Sequence, residues 1–266
     1  MTRRELVDQI RQKKSFLCVG LDTDLQKIPS HLLSFPDPVF EFNRQVIDST
    51  KAHCIAYKIN TAFYESRGVG GWESMQKTLD YIPNTHFTIA DAKRGDIGNT
   101  SAQYARAFFE TLNFDAITVS PYMGVDSLRP FLEYEKKWTI VLALTSNAGA
   151  SDFEMQLSGE VPLYERVIET ISQWATTENL MFVIGATRPE TFKRIRELAP
   201  THFYLVPGVG AQSGDLHQIA QNAIIPDIGL IVNVSRSIIY SSAKEDFAEK
   251  AGAAAASYQR QMQAYF

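Results

Sequence analysis

Short apolar strands alternate with amphipathic helical segments along the whole chain, with no linker or shift of composition between them. Eight strands are predicted, at 16–22, 55–60, 86–92, 116–120, 138–145, 180–186, 203–207 and 229–235. Eight strand–helix units in about 250 residues are typical of a TIM (β/α)8 barrel. The sequence therefore predicts an α/β fold in which residues 1–266 form a single barrel domain.

Helical patterns with apolar residues at three-to-four spacing lie between the predicted strands, as at 39–50, 101–112, 163–176, 189–198 and 215–222. A helix is also predicted at the N-terminus, over 2–14, with Leu6 and Ile10 facing inward, and a closing helix over 251–266. Thr187 stands three residues before Glu190, which predicts a Thr-capped helix start.

A doubly wound parallel sheet is the alternative arrangement for such a repeat. Sheets of that kind usually have fewer strands and a glycine-rich first turn that binds a dinucleotide. Here the first strand leads into Gly20-Leu21-Asp22-Thr23-Asp24, which has no GxGxxG pattern. The barrel is the favoured prediction.

Composition narrows the class of function. The net charge of −4 offers no general attraction to nucleic acid, and no apolar stretch approaches the roughly 18 residues of a membrane span. Cys18 and Cys54 lie in apolar segments without CxxC spacing, and the five histidines share no ligand spacing, so neither a disulfide nor a metal site is expected. The N-terminus lacks a signal-peptide core, which predicts a soluble cytoplasmic protein with no nucleic-acid or membrane partner.

The run from Asp91 to Thr100, DAKRGDIGNT, places charge where the third predicted strand gives way to a helix. Side chains alternate along a strand, so Asp91 and Lys93 are predicted to point the same way, and Gly95 then turns the chain towards Asp96. A lysine between two carboxylates stays protonated, because opposite charge nearby favours the ammonium form. Such a lysine is suited to proton donation.

Polar residues follow most of the predicted strands, at the end where a TIM barrel performs its chemistry. They are Asp22, Lys58, Asn60, Asp91, Lys93, Ser120, Thr145, Ser146, Thr187, Gln212 and Arg236. Within this region an alternating set of three carboxylates and two lysines is formed by Asp22, Lys58, Asp91, Lys93 and Asp96. A structural salt-bridge network at the barrel mouth is the alternative explanation for that set.

A glycine-rich loop, PGVGAQSGD, begins at Pro207 and opens a helix, while the last strand leads to Arg236. Glycines let backbone N–H groups approach an anion, and a guanidinium binds phosphate through two hydrogen bonds. The loops after strands seven and eight often bind phosphate in TIM barrels. A tight surface turn beside an exposed arginine is the alternative.

The DAKRGDIGNT run closely resembles the signature of the orotidine 5′-phosphate decarboxylase family. Further matching segments follow in order along the chain: Gly20-Leu21-Asp22, Thr145 to Gly149, Val183 to Glu190, Pro207 to Gln212 and Ser235 to Ser237. The long segment after strand five resembles the longer bacterial branch (type 2). One departure is Ser235, where many compact members have glycine before the phosphate-binding arginine.

This resemblance implies decarboxylation of orotidine 5′-monophosphate to uridine 5′-monophosphate and CO2, the last step of de novo pyrimidine nucleotide synthesis, without a metal or cofactor. It implies a catalytic array of Lys58, Asp91, Lys93 and Asp96, with Lys93 stabilising and protonating a C6 carbanion. Substrate-binding roles fall on the ribose ligand Asp22, the pyrimidine ligand Ser146, the phosphate-site residues Pro207, Gln212 and Arg236, and the pair Ile97 and Thr100.

The family also implies a homodimer in which Asp96, Ile97 and Thr100 complete the partner's site. Two other functions stay open at this stage. One is a related sugar-phosphate decarboxylase or aldolase-like synthase, which shares the Asp-x-Lys-x-x-Asp pattern but resembles metal-dependent enzymes. The other is a phosphate-binding barrel without catalytic activity.

Overall fold

A computed structural model describes residues 1–210 and 214–266 and contains a closed barrel of eight parallel strands. The barrel strands are β1 (Leu17–Gly20), β2 (Ala56–Asn60), β3 (Phe87–Arg94), β4 (Ala116–Val119), β5 (Trp138–Leu144), β6 (Leu180–Ile184), β7 (Phe203–Pro207) and β8 (Leu230–Val234). Each strand neighbours the next in sequence, and β8 lies beside β1. The predicted TIM-barrel fold is confirmed.

Helices follow the strands. They are α1 (Arg3–Lys13), α2 (Pro38–Thr50), α3 (Ala62–Glu65), α4 (Val69–Tyr81), α5 (Gly98–Arg106), α6 (Val125–Leu132), α7 (Leu163–Ile171), α8 (Thr191–Leu198), α9 (Leu216–Ala223), α10 (Arg236–Ile239) and α11 (Phe247–Met262). A π-helical turn, Ala107–Thr111, extends α5. A two-stranded antiparallel hairpin, Leu157–Ser158 with Val161–Pro162, interrupts the long connection between β5 and α7.

Burial explains why the strands read as unbroken apolar runs. Every residue of β1, β4, β6 and β8 is buried, as expected for parallel strands covered on both faces.

Local signals start several helices. Pro38 begins α2, and the carboxylate of Asp37 accepts a hydrogen bond from the backbone N–H of Phe40 (3.1 Å).

The chain divides into two compact units. The first comprises Met1–Val7 and Lys93–Val232, and the second comprises Asp8–Ala92 and Asn233–Phe266. The assignment of residues 1–266 to a single domain stays a prediction. Within the described ranges, no helix combines the length and apolar character needed to cross a membrane.

Element ends differ from the predictions in places. The N-terminal helix has Leu6 and Ile10 fully buried, as predicted, and both cysteines are buried free thiols. The expected threonine cap is wrong: α8 begins at Thr191, and Glu190 occupies the cap position without a side-chain hydrogen bond. The closing helix starts at Phe247, earlier than predicted, and ends at Met262 before a 3-10 turn.

Candidate active site

A cluster of charges around the buried Lys58 ammonium lies at the ends of the first three strands, within the second unit. The Lys58 ammonium on β2 lies 3.4 Å from a carboxylate oxygen of Asp22 and 3.1 Å from one of Asp91. The register of the strands explains why these three side chains lie close together. Lys58 pairs with Gly20 on β1, and Asn60 pairs with Asp91 on β3. Three residues far apart in sequence thus form one ion-paired triad.

The two carboxylates of the triad stabilise the positive charge of Lys58. The Lys58 side chain is 4% exposed, and such burial alone would lower the pKa of the amine. The Coulombic attraction of Asp22 and Asp91 outweighs this desolvation and raises the pKa of Lys58 above its ordinary value of 10.5. Lys58 is therefore a permanent cation at neutral pH.

A cavity of about 290 Å³ opens beside this triad in the same unit. It is lined by Asp22, Asp24, Lys27, Phe63, Arg236 and Tyr240. Arg236, the predicted phosphate ligand, is exposed at the start of α10. The cavity therefore brings together a predicted ribose ligand and a predicted phosphate ligand, separated in the sequence by most of the chain.

Ser235, the departure from the compact members of the family, packs against Gly20. A Cβ atom built on Gly20 would lie 2.7 Å from the Cβ of Ser235, closer than real side chains approach. The absence of a side chain at Gly20 is what makes room for the serine beside Arg236. The two positions are sterically linked across β1 and the end of β8.

Lys93 belongs to the first unit and has an unusual backbone. Its φ angle is +48°, in the left-handed region that non-glycine residues rarely occupy. Its backbone N–H donates to the Thr118 hydroxyl on β4 (2.9 Å), and its side chain is exposed. The extended backbone that makes side chains alternate therefore ends at Ala92, before Lys93.

Such strain, about 1–3 kcal/mol, is commonly found at functional positions. The surroundings of Lys93 hold the residue in this conformation through the bond to Thr118. A strained lysine at the end of β3 is the position where the sequence predicts the proton donor. The strain is consistent with that prediction but was not itself visible in the sequence.

Asp96, Ile97 and Thr100 lie at the turn into α5, also in the first unit. The backbone N–H of Ile97 donates to the Asp96 carboxylate (2.8 Å), and that of Thr100 donates to the carbonyl of Ile97 (3.2 Å). Ile97 is 58% exposed, a high value for a large apolar side chain. The turn thus presents an apolar residue next to a carboxylate at the surface of the chain.

Ser146, the predicted pyrimidine ligand, follows β5 on a segment that hydrogen bonds from Glu154 and Thr187 hold in place. Glu154, in the long connection after β5, accepts hydrogen bonds from the backbone N–H and the hydroxyl of Thr145 (2.7 and 2.8 Å). The Thr187 hydroxyl, predicted as a helix cap, donates instead to the carbonyl of Ser146 (3.3 Å). Sequence reasoning missed Glu154, because no motif links it to Thr145.

The glycine-rich loop begins at Pro207, the last residue of β7. Gly208 has a φ of +99°, which glycine adopts without a steric penalty, and its carbonyl accepts the N–H of Gly214 (3.3 Å). Gly208 and Gly214 therefore meet directly after the strand. Gln212, the other predicted phosphate ligand, lies outside the described residues.

Within residues 1–210 and 214–266, no group of three or more His, Cys, Asp or Glu side chains is arranged to hold a metal ion. His86 and His202 are buried, and burial lowers the pKa of each to about 4.

A closed barrel of parallel strands with paired carboxylates and a buried lysine at its strand ends defines a TIM-barrel enzyme, with its chemistry at the C-terminal ends of the strands. The chain belongs to the orotidine 5′-phosphate decarboxylase / HUMPS family, whose model matches residues 15–251. The predicted family is confirmed.

Individual relatives agree with the family match. The chain is 56% identical to the orotidine 5′-phosphate decarboxylase of Christiangramia forsetii, over 98% of this chain and 97% of the relative. It is 54% identical to that of Phocaeicola vulgatus, over 99% and 98%. The solved structure of Leishmania donovani OMP decarboxylase superposes with a TM-score of 0.81 at 36% identity, covering 96% of this chain and 99% of that chain. The predicted enzyme class, carboxy-lyase, is confirmed by these relatives.

Proposed function

We propose that the protein converts orotidine 5′-monophosphate to uridine 5′-monophosphate and CO2, as the last step of pyrimidine nucleotide synthesis. The observation that carries the proposal is the buried triad of Asp22, Lys58 and Asp91, in a chain whose relatives are named for this reaction. The cytoplasmic location and the absence of a metal or cofactor from the reaction stay predictions.

The chemical step breaks the bond between C6 and the carboxylate, and the electron pair stays on C6 while CO2 leaves. The resulting carbanion has no adjacent π-system to delocalise it fully, so fixed positive charge must stabilise it. Lys93 would provide that charge and then transfer a proton from its ammonium to C6. Preorganised charge of this kind is usually the largest single contribution to catalysis.

Asp91 has a defined place in this scheme. Its carboxylate is ion-paired with Lys58 and precedes Lys93 by two residues on β3. A carboxylate held there by Lys58 would repel the substrate carboxylate and favour its departure.

The direct test is to incubate purified protein with orotidine 5′-monophosphate and excess chelator, following the ultraviolet absorbance change of conversion to uridine 5′-monophosphate. Conversion at the same rate with and without chelator is the expected result. Conversion only when a divalent metal is restored would overturn the metal-free mechanism. No conversion by folded protein, with turnover of a sugar phosphate instead, would favour the synthase alternative.

Phosphate recognition is assigned to Arg236, with Pro207 opening the glycine-rich loop and Gln212 within it. Arg236→Ala is expected to lower kcat/KM by about 10³-fold, because two charge-assisted hydrogen bonds to phosphate are worth roughly 3–6 kcal/mol. Part of this loss is expected in kcat, since binding energy from the remote phosphate supports the chemical step. Steady-state kinetics measure both constants.

Arg236→Lys is the matched control for that experiment. It retains the positive charge but not the two-pronged geometry of the guanidinium, so an intermediate loss is expected. A kcat/KM near the wild-type value in Arg236→Ala would contradict the phosphate assignment.

The dimer proposal is that Asp96, Ile97 and Thr100 complete the site of a partner subunit. The exposure of Ile97 beside the Asp96 carboxylate supports it. Mixing inactive Asp96→Ala chains with inactive Lys93→Ala chains is expected to restore about a quarter of wild-type activity. In a randomly exchanged two-fold dimer, half of the molecules are mixed and each of those has one intact site.

Two controls accompany the mixing experiment. Subunit exchange is verified by co-purification of differently tagged chains, and a chain carrying both substitutions is mixed with each single variant. Activity that stays at the level of the unmixed variants, despite proven exchange, would show that Asp96 acts in its own subunit.

A further inference from the structure

Tyr240 lies directly after α10 and bonds to the turn that follows β1. Its hydroxyl accepts a hydrogen bond from the backbone N–H of Asp24 (2.7 Å) and donates one to the carbonyl of Asp22 (3.1 Å). A single phenol thus spans the turn on both sides of Thr23. The hydroxyl acts on the backbone of the residue whose carboxylate is paired with Lys58.

The Tyr240 ring is itself held in place by aromatic packing. It stacks on Phe42 of α2, with ring centroids 5.9 Å apart and planes 27° apart. Phe42 in turn stacks on Phe247 of α11 at 5.0 Å. The ring packs among elements of the second unit, and this packing holds its hydroxyl in place.

Burial also preserves the hydroxyl as a donor. Desolvation raises the pKa of Tyr240 to about 12. The phenol therefore keeps its proton at neutral pH, and the bond to the Asp22 carbonyl requires that proton.

Other bonds hold the same turn on its remaining sides. The backbone N–H of Leu21 donates to the carbonyl of Lys58 (2.8 Å), and the Tyr64 hydroxyl donates to the carbonyl of Leu21 (3.0 Å). Thr23 donates to the side-chain oxygen of Asn43 (2.6 Å). Tyr240 supplies the bond to Asp22 itself, and with it the position from which the Asp22 carboxylate reaches Lys58 and the cavity.

We propose that Tyr240 is a positioning residue for ribose recognition: it holds the turn carrying Asp22 so that the Asp22 carboxylate meets the ribose hydroxyls. Tyr240 also follows the phosphate ligand Arg236 by four residues, and its N–H donates to the carbonyl of Arg236 (3.1 Å). One short segment after β8 therefore serves both the phosphate and the sugar. This inference rests on the proposed function, through the role of Asp22.

The test compares two ligands on the wild type and on Tyr240→Phe, which removes the hydroxyl and retains the ring. The ligands are uridine 5′-monophosphate and its 2′,3′-dideoxy analogue, which lacks the hydroxyls that Asp22 would bind. Calorimetric titration is expected to show that Tyr240→Phe weakens binding of the first ligand about tenfold, because the ribose contact of Asp22, worth about one hydrogen bond, is lost when the Asp22 carbonyl is no longer held. Affinity for the dideoxy analogue is expected to stay within about twofold, because its binding does not use Asp22.

Tyr204→Phe is the matched control. The Tyr204 hydroxyl also makes two backbone hydrogen bonds, to the carbonyls of Ile195 and Ala199, but it belongs to the first unit, whereas this turn belongs to the second. Tyr204→Phe is expected to lower the thermal midpoint and to leave the ratio of the two affinities unchanged. A structural loss alone would move the midpoint in both variants and the ratio in neither.

Three outcomes are separable. A reduced ratio in Tyr240→Phe alone supports the inference. A wild-type ratio retained in Tyr240→Phe overturns it, even where orotidine 5′-monophosphate is decarboxylated normally. A wild type that binds both ligands equally overturns the ribose role of Asp22 and the inference with it, whereas failure of the proposed function is read separately from the decarboxylation assay.

Discussion

Lys93→Ala is expected to abolish turnover while leaving affinity for uridine 5′-monophosphate within a few-fold of wild type. Loss of a preorganised charge costs about 10²–10³-fold and loss of a general acid about 10²–10⁴-fold, so a fall in kcat of at least 10⁴-fold is expected. The charge acts mainly in the transition state, which is why binding of the product is spared. Single-turnover kinetics and product titration measure the two effects.

Lys136 offers a control that matches the backbone as well as the side chain. It is also an exposed lysine at positive φ (+59°), but it precedes β5, at the opposite end of a strand from the chemistry. Lys136→Ala removes the same atoms from a lysine that also has a positive φ, and it is expected to retain activity. Retained turnover in Lys93→Ala would refute the proton-donor assignment.

Lys58→Met is expected to destabilise the protein by about 3–5 kcal/mol, the cost of leaving buried charge without its partner. The variant removes the ammonium from between Asp22 and Asp91, whose side chains are 20% and 13% exposed. Urea unfolding measures the change. Adding Asp91→Asn to Lys58→Met is expected to recover part of the loss, because the two residues form one network.

An exposed ion pair provides the contrast for Lys58. Lys51 pairs with Asp48 at 2.8 Å, but both side chains are well exposed, so Lys51→Ala is expected to leave the unfolding midpoint almost unchanged. Equal effects of Lys58→Met and Lys51→Ala would show that the triad contributes no special stability.

The pH dependence of the Lys58 contribution has a definite sign. The pKa of Lys58 is raised in the folded state, so its stabilisation is complete below the ordinary value of 10.5 and is lost as pH rises above it. The stability difference between wild type and Lys58→Met is therefore expected to stay constant from pH 7 to about 10 and to shrink in more alkaline solution. A difference that shrinks below pH 9 would contradict the raised pKa.

Much of the barrel was predictable because its signals are local. Strand β7 was predicted at its observed bounds, 203–207, and the other barrel strands within a few residues, since buried parallel strands read as short apolar runs. The expected cap at Thr187 failed because a hydroxyl near a helix start is equally able to bond elsewhere, and here it donates to the carbonyl of Ser146. The residues around Thr187 therefore do not show whether its hydroxyl bonds to a helix start or to a distant carbonyl.

The sequence by itself determined the fold class, the family and the residue types at the strand ends, because hydrophobic period and motif order are properties of the chain alone. Tertiary structure decided which charges meet. The folded chain places Lys58 between Asp22 and Asp91, a grouping that no local motif specifies. Tyr240 and the carbonyl of Asp22 are 218 positions apart and meet because β8 closes the barrel against β1. Strand register and barrel closure set such pairings, and neither is written in any local stretch of residues.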